Sequence, residues 1–171
     1  MFAWFSRWWW CRFTRIGELV GVDVQGSRVT AYRRLAWNET DAAGHNHFSA
    51  AVRWMEETEH AFYRVLGLQV DFIDRIPRVS VRLDYSRRLY FGDLLRLELG
   101  VVRVGRTSCT FAFAVFDSAG EKAVSGEYVV VHVESTDGGS ADWPEDMKAA
   151  LMRGDHLVIR EEVVAAETGR G

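Results

Sequence analysis

The sequence predicts an α+β fold in which a curved antiparallel sheet wraps around one long central helix. Two observations carry that prediction. From His45 or Phe48 to about Leu66, apolar residues recur at three- and four-residue spacing, with no Pro or Gly between them. That is the stripe of an amphipathic helix. Downstream, four segments of alternating or crowded apolar residues are parted by glycine turns and polar links, as strands are. One apolar-striped helix beside an antiparallel sheet must bury its stripe against that sheet.

The elements follow in order. Gly21 to Ser27 is a link, and Arg28 to Ala36 reads as a first strand. Trp37 to Gly44 is a loop. The helix stripe is Phe48, Ala51, Val52, Met55, Phe62 and Val65 or Leu66, with Arg53, Glu57 and Arg64 opposite. Gly67 suits the position just past the helix end, where a left-handed residue is favoured. Val79 to Tyr85 alternates strictly and predicts a half-buried strand. Gly92 and Asp93 turn the chain into Leu94 to Val104, whose Leu95, Leu97, Leu99 and Val101 share one face. Gly105-Arg106 is a two-residue hairpin of the II′ kind. Thr107 to Asp117 is apolar on both faces and so central; Ser118 to Gly120 turns it back into Lys122 to Glu134, completing a meander. A short helix starts at Pro144 and runs to Met152. The charged tail beyond Asp155 is assigned no element. The chain divides into an extension (1–26), one domain (27–153) and a tail (154–171).

Composition narrows the class. The 171 residues fit one domain, and 48% are apolar, enough for a core without disulfides. A net charge of -3 gives no reason to expect nucleic acid as partner. Cys11 and Cys109 stand in no motif, which excludes a Cys-rich metal site and agrees with a reducing, cytoplasmic setting. Residues 1–15 are rich in Trp, Phe and Arg without an apolar span. They are a candidate for weak membrane contact, because Trp and Arg suit the headgroup zone; a loosely tied terminal extension is the plainer alternative. No Gly-x-Ser-x-Gly, phosphate loop or dinucleotide fingerprint is present.

The chemistry concentrates before the long helix. Asp41, Gly44, His45, His47 and Phe48 stand directly in front of it. A helix start offers free backbone N–H groups and the positive end of its dipole, which favour developing negative charge. Asp41 is the candidate nucleophile or general base, its plainer role being an N-cap. Gly44 lets backbone pass close to a substrate, or simply makes a turn. His45 and His47 are candidates to orient water or line a pocket. A His-x-His metal pair lacks an evident third ligand, so no metal is expected. Glu56, midway along the helix, is a supporting or pocket-wall carboxylate, or the partner of His60 on a solvated face. Arg87, Arg88, Arg103 and Arg106 near strand ends suit phosphates.

Strand, Asp41-x-x-Gly44-His45, long helix with Glu56, and curved meander together resemble the hotdog-fold acyl-CoA thioesterases of the 4-hydroxybenzoyl-CoA thioesterase-like group. The segment Tyr85 to Asp93 and the Pro144-Glu145 helix start are similar too, so the likeness covers roughly Arg28 to Met152. The resemblance implies acyl-CoA hydrolysis without a cofactor, with Asp41 as the reacting carboxylate. It implies that the amide near Phe48 polarises the thioester oxygen, the Phe48 side chain being core. It implies an active site at a dimer interface, in a homodimer or a dimer of dimers. Many relatives carry Asn-Asn and then a Tyr in the helix; this chain has Asn46-His47-Phe48 and then Ala51. Phe111 and Phe113 are expected to line the acyl slot. Hydrolysis on an acyl carrier protein, or a non-catalytic acyl-binding module, are the alternatives.

Overall fold

The computed structural model describes residues 18–19, 21–68 and 70–162. The aromatic extension of residues 1–15 lies outside the described residues. Two short strands, β1 (Glu18–Leu19) and β2 (Val22–Asp23), form a small antiparallel ladder. The main sheet has six strands: β3 (Arg28–Arg34), β4 (Arg78–Tyr85), β5 (Leu94–Val104), β6 (Ser108–Phe116), β7 (Lys122–Val131) and β8 (His156–Glu162). Their order is β4-β7-β6-β5-β3-β8. Every neighbouring pair is antiparallel except β3 and β8, which run parallel.

The long helix α1 (Ala50–Val65) buries Ala50, Ala51, Trp54, Met55, Phe62 and Tyr63 in one core with the sheet. Leu95, Leu97, Leu99 and Val101 of β5 point into that core, as their alternation predicts. On the central strand β6, Phe111 stacks on Tyr128 at 5.0 Å and meets Phe62 edge-on at 6.4 Å. Gly67 takes φ +78 just past the helix. The second helix, α2 (Glu145–Met152), starts after Pro144 and buries Met147, Ala150 and Leu151. On the outer face, Ala112 and Ala114 of β6 are covered by Val22, Val24, Val102 and Phe116.

Several expectations need correction. Phe48 is 68% exposed, and Val52 and Val65 are also exposed. The helix begins two residues after Phe48, and Ala50 and Trp54 join the expected Ala51, Met55 and Phe62 on the inward stripe. β4 is not half-buried: Val79, Val81 and Tyr85 are exposed, because β4 is an edge strand. The Gly105 turn is not of the II′ kind. Gly105 has no positive φ, and its N–H donates to Ser108 O at 2.7 Å across a three-residue connection. Phe111 and Phe113 are fully buried in the core, so neither lines an open slot in this chain. The tail contributes β8, which a charged sequence does not announce.

Two glycines separate space from conformation. A Cβ on Gly126 of β7 would sit 1.8 Å from the Arg82 carbonyl oxygen of β4, whereas a Cβ on Gly44 meets nothing but Gly44 has φ +79. Gly126→Ala therefore lowers the unfolding free energy by about 3 kcal/mol, the upper range for overpacking. Gly44→Ala costs about 1 kcal/mol for the left-handed backbone alone. Urea denaturation measures both; equal losses would contradict the steric account.

Candidate active site

The residues from Ala36 to Ser49 form a tight loop tied at several levels. Trp37–Glu39 is a single 3-10 turn. Thr40 bridges Asn46, the Asp41 N–H donates to His45 O at 2.8 Å, and the Gly44 N–H donates to Asp41 O at 3.0 Å. The loop is therefore a miniature hairpin whose tip is Asp41 to Gly44. Its positive φ at Gly44 explains why glycine stands there.

Asp41 sits at this tip, exposed to solvent. Its Oδ1 accepts from the Ala43 N–H at 2.8 Å and the His45 N–H at 3.3 Å. The Ala43 hydrogen bond is the main influence holding the carboxyl below its ordinary value. Slight desolvation works the other way, and the His45 amide and the His45 and His47 rings add to the lowering. Asp41 is thus a carboxylate at neutral pH, and it caps its own loop rather than the helix.

The flanking residues dock this loop onto the segment after β4. His45 bridges Tyr90, and the two rings meet edge-on at 5.5 Å. Asn46 exchanges hydrogen bonds with Leu89: its N–H donates to Leu89 O, and its Oδ1 accepts the Leu89 N–H. His47 Nδ1 lies 2.8 Å from Ser49 Oγ and accepts the Ser49 N–H at 3.3 Å. That acceptor role places the proton of the neutral ring on Nε2. The Tyr85 hydroxyl donates to Phe48 O at 2.6 Å.

The helix start is only partly capped, through the Ser49 N–H and His47 Nδ1. Ser49, at the N-cap position, makes no side-chain cap, because its φ of -70 and ψ of -17 are already helical. Ala50 donates back to His47 O, while the Phe48 N–H meets no backbone acceptor among the described residues. A free N–H ahead of a helix start is a donor from which a developing oxyanion can accept.

The remaining candidates are not all brought here. Glu56 lies well inside α1 and pairs with Arg78 of β4 at 3.2 Å, not with His60. His60 Nε2 is buried without a partner. Arg87 pairs with Asp117 at 3.3 Å, and Arg88 is exposed beside it; both precede the Leu89–Tyr90 dock. Arg106 lies at the opposite end of β5, paired with Asp142 at 2.7 Å.

This loop and sheet have counterparts in known proteins. A family model described as the thioesterase-like superfamily matches residues 35–151. The chain belongs to the thioesterase-like superfamily. The Bacillus subtilis protein YsmA is 25% identical over 117 residues, covering 68% of this thioesterase and 80% of YsmA. A 1,4-dihydroxy-2-naphthoyl-CoA hydrolase of Synechococcus elongatus is 34% identical over 90 residues, covering 49% of this chain and 62% of the hydrolase. The chain thus spans less than two thirds of that hydrolase. Slr0204, a 1,4-dihydroxy-2-naphthoyl-CoA thioesterase from Synechocystis, superposes with a TM-score of 0.68 at 16% identity, over 72% of this chain and 95% of its own. That likeness shows the shared hotdog fold.

The thioesterase also holds buried charges that sequence reasoning missed. Arg33 is 1% exposed; its Nη2 donates to Glu39 Oε1 at 2.6 Å, its Nη1 pairs with Glu57, and its guanidinium lies over Trp54. Glu59, with no exposure, accepts from the Tyr63 hydroxyl at 2.8 Å and from Arg78 at 2.6 Å. Each had a signal in the pattern. Val29, Ala31, Arg33 and Leu35 share the inward face of β3 and its end, and Glu59 falls four residues after Met55 on the apolar stripe. A charge on an inward face demands a partner.

Removing one such partner strands the other. Arg33→Ala leaves Glu39 buried and lowers stability by about 3–5 kcal/mol. Arg106→Ala, at an exposed pair, changes it by less than about 0.5 kcal/mol. Thermal and urea melts of the two variants check this, and a mild effect of Arg33→Ala would sink the account.

Proposed function

We propose that this thioesterase hydrolyses an acyl-CoA thioester to free acid and CoA, with Asp41 as the reacting carboxylate and the Phe48 N–H as donor to the thioester oxygen. One observation carries the reading: an exposed carboxylate, held by loop amides, sits on the loop that leads into α1, where the Phe48 N–H meets no backbone acceptor among the described residues. The hydrolase and thioesterase relatives, which by name act on CoA thioesters, support the substrate class.

In the favoured sequence, an Asp41 oxygen attacks the thioester carbonyl carbon, and the oxyanion that forms is held by the Phe48 N–H. The C–S bond breaks and CoA leaves as thiolate. Water then attacks the Asp41 carboxyl carbon of the mixed anhydride; that carbon's bond to the bridging oxygen breaks, the free acid leaves with the former Asp41 oxygen, and the restored carboxylate keeps the water oxygen. The loop amides that hold the carboxyl below its ordinary value keep it ionised, as attack on a carbonyl requires. Gly44 and His45 shape the loop tip, and His47 holds Ser49 at the helix start. Glu56 supports the helix wall through Arg78.

Arg87 and Arg88 stand beside the docked loop and suit the phosphates of CoA; Arg106, at the other end of β5, reaches phosphate only in another arrangement of chains. Exposed Val79 and Val81 on the unpaired β4 edge support a homodimer or dimer of dimers. No helix among the described residues is long and apolar enough to cross a membrane. The absence of a Cys motif supports a cytoplasmic setting.

The test is steady-state hydrolysis across aliphatic and aromatic acyl-CoAs. Asp41→Asn loses about 100-fold or more in kcat while staying folded. A wild-type rate in that variant removes Asp41 from the mechanism. Single turnover in 18O-water separates the roles: a nucleophile acquires label in the Asp41 carboxylate, a general base does not.

The pH profile gives an independent check. The active form of Asp41 is ionised and its pKa is lowered, so activity is retained as pH falls through the usual carboxyl range. It is lost only below the ordinary value of 3.8, as far as the fold survives. A limb from this group near neutrality would contradict the assignment.

A further inference from the structure

We infer that Glu39 is a positioning residue for thioester hydrolysis: its buried carboxylate fixes the loop that carries Asp41 and the helix start that follows. The inference rests on the reading of Asp41 and the Phe48 amide given above. Glu39 is 6% exposed and stands two residues before Asp41. Its Oε1 accepts from Arg33 Nη2 at 2.6 Å and from Trp54 Nε1 at 2.8 Å, and its Oε2 accepts from the Ala36 N–H at 2.9 Å. One carboxylate therefore joins β3, the turn before the loop and α1.

The backbone of Glu39 closes the loop. Its carbonyl oxygen accepts the His47 N–H at 2.7 Å, directly below the Thr40–Asn46 bridge. Asp41 lies just above this closure on one arm, and Phe48 follows His47 on the other. Both groups that would touch the thioester are thus set by where Glu39 sits. Glu39 touches neither of them, and its side-chain oxygens are occupied by protein donors.

The chemistry of the clamp makes the neutral isostere informative. Glutamine has one acceptor oxygen and one NH2 group. In place of Glu39 it must turn a donor toward either the Arg33–Trp54 pair or the Ala36 N–H, so one side of the clamp opens while the volume stays the same. A misplacement of about 1 Å at a reacting group is enough to cost up to about 100-fold in rate.

The experiment compares Glu39→Gln, Trp54→Phe and Asp41→Asn with the wild-type chain on the best acyl-CoA, under conditions where melting curves show each variant folded. Glu39→Gln is expected to lower kcat about tenfold or more with KM within about threefold. Hydrogen exchange of the Asn46 and His47 amides is expected to accelerate in the same variant. Trp54→Phe removes one donor and keeps the ion pair, so it shows a smaller loss of the same kind and carries the test where Glu39→Gln does not fold. Wild-type kcat in a folded variant overturns the inference. So does a loss that appears only in KM, or unchanged exchange of the loop amides. Asp41→Asn reads the underlying mechanism separately: a wild-type rate there dismisses Asp41, while Glu39 is still judged by its own kcat, KM and exchange.

Discussion

The fold depends on burying one side of α1 against the concave sheet, and that burial decides where its charges go. A helix packed this deeply carries acidic side chains that run from half-exposed, at Glu56 and Glu57, to fully buried, at Glu59. Two arginines meet them from different strands. Arg33 of β3 takes Glu57, together with Glu39 of the loop, while Arg78 of β4 takes Glu56 and Glu59. β3 and β4 are separated in the sheet by β5, β6 and β7. The helix is therefore gripped from both sides of a curved sheet, and the ion pairs help hold the curl closed around it. Such pairs contribute little net energy relative to apolar packing, but they penalise any register that leaves one charge without its partner.

The same burial explains the exposed apolar residues. Once Ala50, Ala51, Trp54 and Met55 are turned inward, Phe48 and Val52 face outward. Tyr85, Tyr90 and Phe91, on the chain that leaves β4, are exposed as well. The loop with Asp41 is docked on this chain through Tyr90, Leu89 and Tyr85. Exposed apolar residues where the loop docks are what a thioester substrate or a second chain would cover. The site is thus an open surface on one chain rather than a finished cavity.

Periodicity made much of this legible. Glycine turns at Gly92 and Gly120, the inward face of β5 and the centrality of β6 all follow from local pattern, because alternation and positive φ are properties of a few adjacent residues. The turn at Gly44 was legible for a similar reason, since its positive φ is made within the Asp41–His45 turn itself. What local pattern does not contain is the sheet neighbour. Val79 to Tyr85 alternates well enough to suggest a half-buried strand, yet its place at an edge leaves it exposed. β8 is charged but is recruited by β3 through backbone pairing. The Glu39 clamp joins residues from three elements, so its parts look unrelated in sequence even though Arg33 on an inward face announces that some partner exists.

The partly capped helix start shows why such a clamp is needed. A side-chain cap typically contributes about 1 kcal/mol to a helix, and Ser49 is a residue type that could supply one. Instead it adopts a helical backbone and gives its hydroxyl to His47. The Phe48 N–H is left without a backbone acceptor, which is useful only if something outside the chain accepts it. Stability forgone at a helix start is a feature of sites where a ligand completes the hydrogen bonding. With no cap from the Ser49 side chain, the position of this end is set largely from elsewhere. The His47 N–H bond to the Glu39 carbonyl and the Tyr85 bond to the Phe48 carbonyl supply that constraint. On the proposed reading, the Phe48 N–H can meet an oxyanion because the peptides around it are held by the loop and by β4.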